Sequence, residues 1–157
     1  MILAKDGISV DLPRGWEGRA FVPAVPAPAL TFPVLHAATF ALPPDDSSFG
    51  GGLARAMGAE GTMFSLVEFD PALAGEKLFR EDRLPIALRP GELSPSALQV
   101  RRRGHAGVQR FFAESGRAFC LYAIVGSRDD RSDRVRRLNG VLATLRIEPL
   151  PSPPGDE

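Results

Sequence analysis

Apolar positions recur with two different periods along this chain, and each period predicts its own kind of element. Ile2-Leu-Ala-Lys5 and Ile8-Ser-Val-Asp-Leu12 flank Asp6-Gly7. An Asp-Gly pair supplies the positive φ angles of a two-residue turn, so these segments predict a hairpin. Pro13-Arg-Gly15-Trp16 ends it, and Glu17 to Val22 reads as a short extended piece. Val34 to Leu42 is a strand candidate closed by Pro43-Pro44-Asp-Asp-Ser-Ser. Thr62 to Asp70 is apolar on both faces, with Met63, Val67 and Phe69 on one and Phe64 and Leu66 on the other. Such a strand belongs in the middle of a sheet covered on two sides. Gly107 to Glu114, then Ser115-Gly116, then Arg117 to Gly126 predict a second hairpin. A two-residue turn there pairs Glu114 with Arg117, Phe112 with Phe119, Phe111 with Cys120 and Gln109 with Tyr122.

The period then lengthens. Val135, Leu138, Leu142 and Leu145 recur at helical spacing, which predicts a helix from Asp129 to Leu145 capped by Asp130 or Ser132. Arg134, Arg136 and Arg137 are expected to face water, and Gly140 weakens the middle by up to ~1 kcal/mol relative to Ala. Arg146-Ile-Glu148 is a short last strand. Leu53 to Met57 is at most one helical turn between glycines. Pro23, Pro26, Pro28 and Pro33 make 22–33 a stiff extended surface loop, and Pro71, Pro85, Pro90 and Pro95 leave 71–99 as loop with short helices. One globular domain over 1–148 and a disordered tail over 149–157 are expected.

Composition narrows the class. The chain has 157 residues, enough for one domain and its core. No apolar run reaches the ~18 residues of a membrane span, and the start turns polar too early for a signal peptide. A cytoplasmic protein with no membrane insertion is expected. Cys120 is the lone cysteine, and His36 and His105 are the two histidines, so no disulfide, no metal site and no cofactor are expected. Of 19 basic residues only Lys5 and Lys77 are lysine, an arginine bias that GC-rich codons produce. Residues 101–137 carry ten arginines against four acids, while the remainder carries nine basic residues against fifteen acids. The zero net charge therefore hides a dipole along the sequence.

Few residues invite chemistry. Arg101-Arg-Arg-Gly-His-Ala-Gly107 could hold an anion through guanidinium forks and backbone N–H groups, but no dinucleotide or phosphate-loop pattern surrounds it. Its plainer reading is an exposed charged turn leading into a strand. His36, among apolar neighbours, reads as a hydrogen-bonded wall residue, and Cys120 as an inert buried thiol. No nucleophile-elbow serine and no H-E-x-x-H pattern occurs. Glu68, sharing a face with Phe64 and Leu66, needs a cation, and Arg110, on the face of Val108 and Phe112, is the expected partner. Nucleic-acid binding by Arg101, Arg102, Arg103 and Arg110 with Phe111 and Phe112 is disfavoured by the zero net charge and scarce lysine.

Two stretches carry a family resemblance. Gly7-Ile-Ser-Val-Asp-Leu-Pro13-Arg-Gly-Trp16 resembles the opening strand and "P-x-G-W" turn of the PsbP-like superfamily, which includes the DcrB-like bacterial proteins. The strand Arg117 to Val125, the helix after it and Gly140-Val-Leu-Ala-Thr-Leu-Arg-Ile147 resemble its closing unit. The resemblance implies an antiparallel sheet sandwiched between helices, bacterial origin and mostly non-enzymatic roles, and it brings no catalytic residues. The expected fold class is α+β, a bent antiparallel sheet with helices on its faces. The expected function is a non-catalytic protein-interaction or assembly-accessory, chaperone-like module. Its partner- or anion-binding residues are Arg101, Arg102, Arg103, His105 and Arg110, and the partner is a protein. The alternative is a small-molecule or anion-binding protein, an enzyme among the options, using Glu68, His105 and Arg110. A self-assembling homo-oligomer is a third option.

Overall fold

The computed structural model describes residues 1–24, 31–44 and 51–151. The parts of the proline-rich loop, the 43–48 turn and the tail that were expected at 25–30, 45–48 and 152–157 lie outside the described residues. The chain is a mixed α+β protein with two antiparallel sheets. β1 (Ile2–Lys5) and β2 (Ile8–Asp11) form the first hairpin. Asp6 and Gly7 take φ of 50° and 80°, as the Asp-Gly turn requires. β8 (Arg146–Ile147) adds a third strand, in the order β1-β2-β8.

The larger sheet runs β3-β4-β5-β7-β6. Its strands are β3 (Glu17–Phe21), β4 (Val34–Ala38), β5 (Thr62–Phe69), β6 (Ala106–Glu114) and β7 (Arg117–Val125). The β6–β7 hairpin turns at Ser115-Gly116 in the expected register, with Phe111 opposite Cys120, Phe112 opposite Phe119 and Gln109 opposite Tyr122. β4 ends at Ala38, short of Leu42, because β5 begins at Thr62 and leaves nothing further to pair; Thr39 instead closes the ladder through Thr62. Segment 71–99 holds four 3-10 helices, Pro71–Leu73, Lys77–Arg80, Pro90–Glu92 and Pro95–Ala97.

Alternation along β5 and β7 sorts the core. Phe64, Leu66, Phe119, Leu121 and Ala123 join Val10 of the small sheet, Leu12 just after β2, and Val135, Leu138, Val141 and Leu142 of α2 (Arg131–Leu142) in the main cluster. Met63, Tyr122 and Ile124, on the opposite face, meet Leu53, Ala54 and Met57 of α1 (Gly51–Ala56) and Leu98. Asp130 occupies the cap position of α2 with φ of 55°, but its carboxylate accepts no backbone bond, and Ser132 lies inside the helix. Arg136 and Arg137 face water as expected; Arg134 does not, because its guanidinium turns back onto the loop before β5.

Candidate functional site

The expected Glu68–Arg110 pair does not form. β7 lies between β5 and β6, so the two residues stand on non-adjacent strands. Glu68 is opposite Phe119, and two residues along β7 on the same face is Arg117. Arg117 grips Glu68 with both parallel donors, Nε at 2.8 Å and Nη2 at 2.6 Å, with each side chain 1% exposed. Its Nη1 donates to the carbonyls of Asp6 and Glu148 at 2.8 and 3.0 Å, which ties the small sheet to the large one. Arg110, half-buried, holds Glu92 through Nε and Nη2 at 2.7 and 2.8 Å and also reaches Asp82. Burial opposes both ionised groups, yet backbone and guanidinium hydrogen bonds hold Glu92 below the ordinary carboxylate range, and its carboxylates raise Arg110. Both guanidiniums are committed within the chain.

The other expected wall residues are where their patterns put them. His36 Nδ1 lies 2.7 Å from Ser65 Oγ, and its ring packs on Phe21 at 5.2 Å. Burial pushes the Cys120 thiol up to about 11, so the thiolate needed for attack is scarce at neutral pH. Among the described residues no group of three or more His, Cys, Asp or Glu could hold a metal ion. No helix of the described residues is long and apolar enough to cross a membrane.

The arginine segment Arg101–Arg103 has a different setting. Thr62, Val125 and Ala106 are aligned across β5, β7 and β6, so the loops at those three ends gather at one edge of the sheet. Gly126 donates to the Gly61 carbonyl at 2.9 Å. A side chain at Gly126 would run into the carbonyl oxygens of Gly58 and Ala59, so only glycine lets these backbones approach. Arg134 Nη1 binds the Ala59 and Gly61 carbonyls at 2.8 and 3.3 Å, and Arg102 Nη1 binds the Arg55 carbonyl. The loops are thus stitched together. They bring Arg55, Arg101, Arg102, Arg103 and Arg128, all exposed, beside Arg131 and Arg134, against Glu60, Asp129, Asp130 and Asp133. Sequence reasoning found the 101–103 run but missed Arg55 and Arg128, which lie far away in the chain and carry no pattern.

His105 departs from the exposed turn expected for it. It is buried at 5% exposure, and burial, then the Arg102 charge, lower its pKa. Arg110 lies five residues further along β6, roughly 16 Å away, and Glu68 lies six residues up β5 from Thr62, roughly 20 Å. The structure keeps Arg101, Arg102, Arg103 and His105 together and separates Glu68 and Arg110 from them.

A cleft of about 860 Å³ lies beside α2. One wall is the Pro13–Trp16 turn, another is the α2 flank bearing Asp130, Arg134, Arg137 and Gly140, and Thr39, Glu60 and Thr62 close the third side. Trp16 packs on Phe64 at 6.2 Å, which anchors that turn to the core. The cleft went unforeseen because its walls come from four separate parts of the chain. With this mixed α+β fold and these two surfaces in view, the chain matches no protein-family model, no curated protein and no solved structure.

Proposed function

We propose that this chain is a non-catalytic interaction module, an assembly-accessory or chaperone-like protein of the cytoplasm, which docks on an acidic protein surface through its arginine-bearing loops. The carrying observation is five exposed arginines, Arg55 at the end of α1 and Arg101, Arg102, Arg103 and Arg128 on two loops, gathered at one sheet edge by the Gly126–Gly61 backbone bond and the Arg102 bond to the Arg55 carbonyl, in a molecule of zero net charge. Fixed cationic groups on one edge attract and orient an acidic partner while the rest of the surface does not. The commitment of Glu68, Arg110 and Arg117 to internal ion pairs, and the raised Cys120 pKa, favour binding over catalysis. The proposal includes a PsbP-like sandwich, with α1 and α2 on opposite faces of a bent large sheet, as the two core clusters suggest.

The test compares capture from the source cell by the full chain and by the Arg101→Glu/Arg103→Glu variant. Acidic proteins should be retained by the wild type at low salt, released by about 0.3 M salt as the charges are screened, and lost with the variant. The same proteins on both columns, or retention abolished by nuclease, would overturn the reading.

A further inference from the structure

We infer that the cleft beside α2 is a second binding site, and that it takes an extended polypeptide segment bearing charges of both signs. Three features carry this. The first is shape: from Asp130 to Thr144 the cleft follows the α2 flank for about 20 Å, the reach of roughly six extended residues. At about 860 Å³ and lined on three sides, it can bury such a segment.

The second is charge. Asp11 is engaged by the Met1 amino group at 3.3 Å, Asp133 by Arg136 at 2.6 Å, and Arg134 by the 59–61 loop. Arg14, Arg137, Glu60 and Asp130 line the same cleft, and their side chains make no hydrogen bond or ion pair among the described residues. They are not mixed at random along the helix. Glu60 and Asp130 stand at its amino end and Arg137 one to two turns on, about 10 Å away. A nucleotide or other polyanion would meet the two carboxylates. A segment with a basic side chain at one end and an acidic one about three residues away would match both.

The third is Gly140. It lies inside a helix, where glycine costs up to ~1 kcal/mol relative to alanine, and a Cβ there would touch nothing within 4 Å. Packing within the chain gives no reason for it. It leaves the cleft floor open to the α2 backbone, and Trp16, the chain's one tryptophan, offers an apolar face opposite.

The arginine loops adjoin the amino end of this cleft, but Arg55, Arg101, Arg102, Arg103 and Arg128 do not line it, so either can fail alone. Hexapeptides selected from a random display library on the full chain are resynthesised and titrated while Trp16 fluorescence is followed. The selected sequences should place a basic residue about three positions from an acidic one and shift Trp16 emission. Gly140→Leu, which fills open space on a better helix former, should weaken binding at least tenfold without lowering the thermal midpoint. The exchange Asp130→Lys with Arg137→Glu should select the opposite charge order. Peptides that bind Gly140→Leu as well as wild type, or no peptide above background, would overturn the inference. So would purely acidic peptides whose binding is lost in Arg101→Glu/Arg103→Glu, an outcome that supports the arginine loops alone.

Discussion

Gly126 and Gly140 are the same residue in opposite circumstances. At Gly126 an added methyl meets carbonyl oxygens of Gly58 and Ala59, which cannot move without opening the loop end. Gly126→Ala should therefore lower unfolding free energy by about 1–3 kcal/mol, the usual cost of overpacking. At Gly140 the methyl meets nothing, and Gly140→Ala should raise it by up to ~1 kcal/mol through helix propensity. Urea unfolding of both variants checks the two signs; a loss at Gly140 or neutrality at Gly126 would show the neighbourhoods misplaced. Nothing in the sequence separates these glycines. One obeys a contact with residues 58–59, the other stands over an open cleft, and both facts are tertiary. Cys120 was legible by contrast, because alternation along an apolar strand already implies burial.

Strand pairing explains the buried ion pair at the next scale. The sequence placed Glu68 on an interior face and demanded a cation for it, and that much holds. It could not say which arginine, since the choice depends on β7 inserting between β5 and β6. Glu68→Gln or Arg117→Met alone should cost about 3–5 kcal/mol, because either leaves a charge or donors buried without their partner. The double variant should recover much of that loss. Additive losses in the cycle would refute the coupling. Arg110→Met should cost less, since Arg110, Glu92 and Asp82 stay within reach of water. Exchange of the Glu148 N–H, which donates to the Gly7 carbonyl at 2.8 Å, should quicken in Arg117→Met and remain unchanged in Arg110→Met, because Arg117, not Arg110, clamps the Asp6 and Glu148 carbonyls on either side of that bond.

At the scale of the molecule, the charge dipole seen along the sequence becomes partly spatial. Arg110 and Arg117 are neutralised within the fold, Arg136 and Arg137 face water from α2, and the exposed Arg101, Arg102, Arg103 and Arg128 gather on the loop edge. His105 sits behind that edge with a lowered pKa, which makes whole-molecule stability depend on pH. The unfolded chain takes up a proton near pH 6.5, while the folded one resists it until lower pH. Stability should therefore fall as pH drops from about 6.5 toward the lowered folded value and level off below it. Glu92, whose folded pKa is also lowered, adds a further loss at more acidic pH. Thermal unfolding from pH 7.5 to 5 should show the first slope in wild type and not in His105→Gln. An identical slope in the variant would assign it to other groups.

The sequence by itself determined what depends on neighbours along the chain. Both hairpins and the β6–β7 register, the two-faced burial of β5 and the apolar stripe of α2 follow from turn chemistry and from periods of two and 3.6 residues. Only the tertiary structure decided what depends on residues meeting across the chain. The insertion of β7 assigned Glu68 to Arg117 and freed Glu92 and Asp82 to take Arg110. The alignment of three strand ends brought Arg55 and Arg128 to the 101–103 run, and the packing of α2 opposite the Pro13–Trp16 turn made the cleft. The physical reason is one of range. Turn geometry and amphipathic period act over a few residues, whereas strand order is settled by which apolar faces and buried charges can be satisfied together.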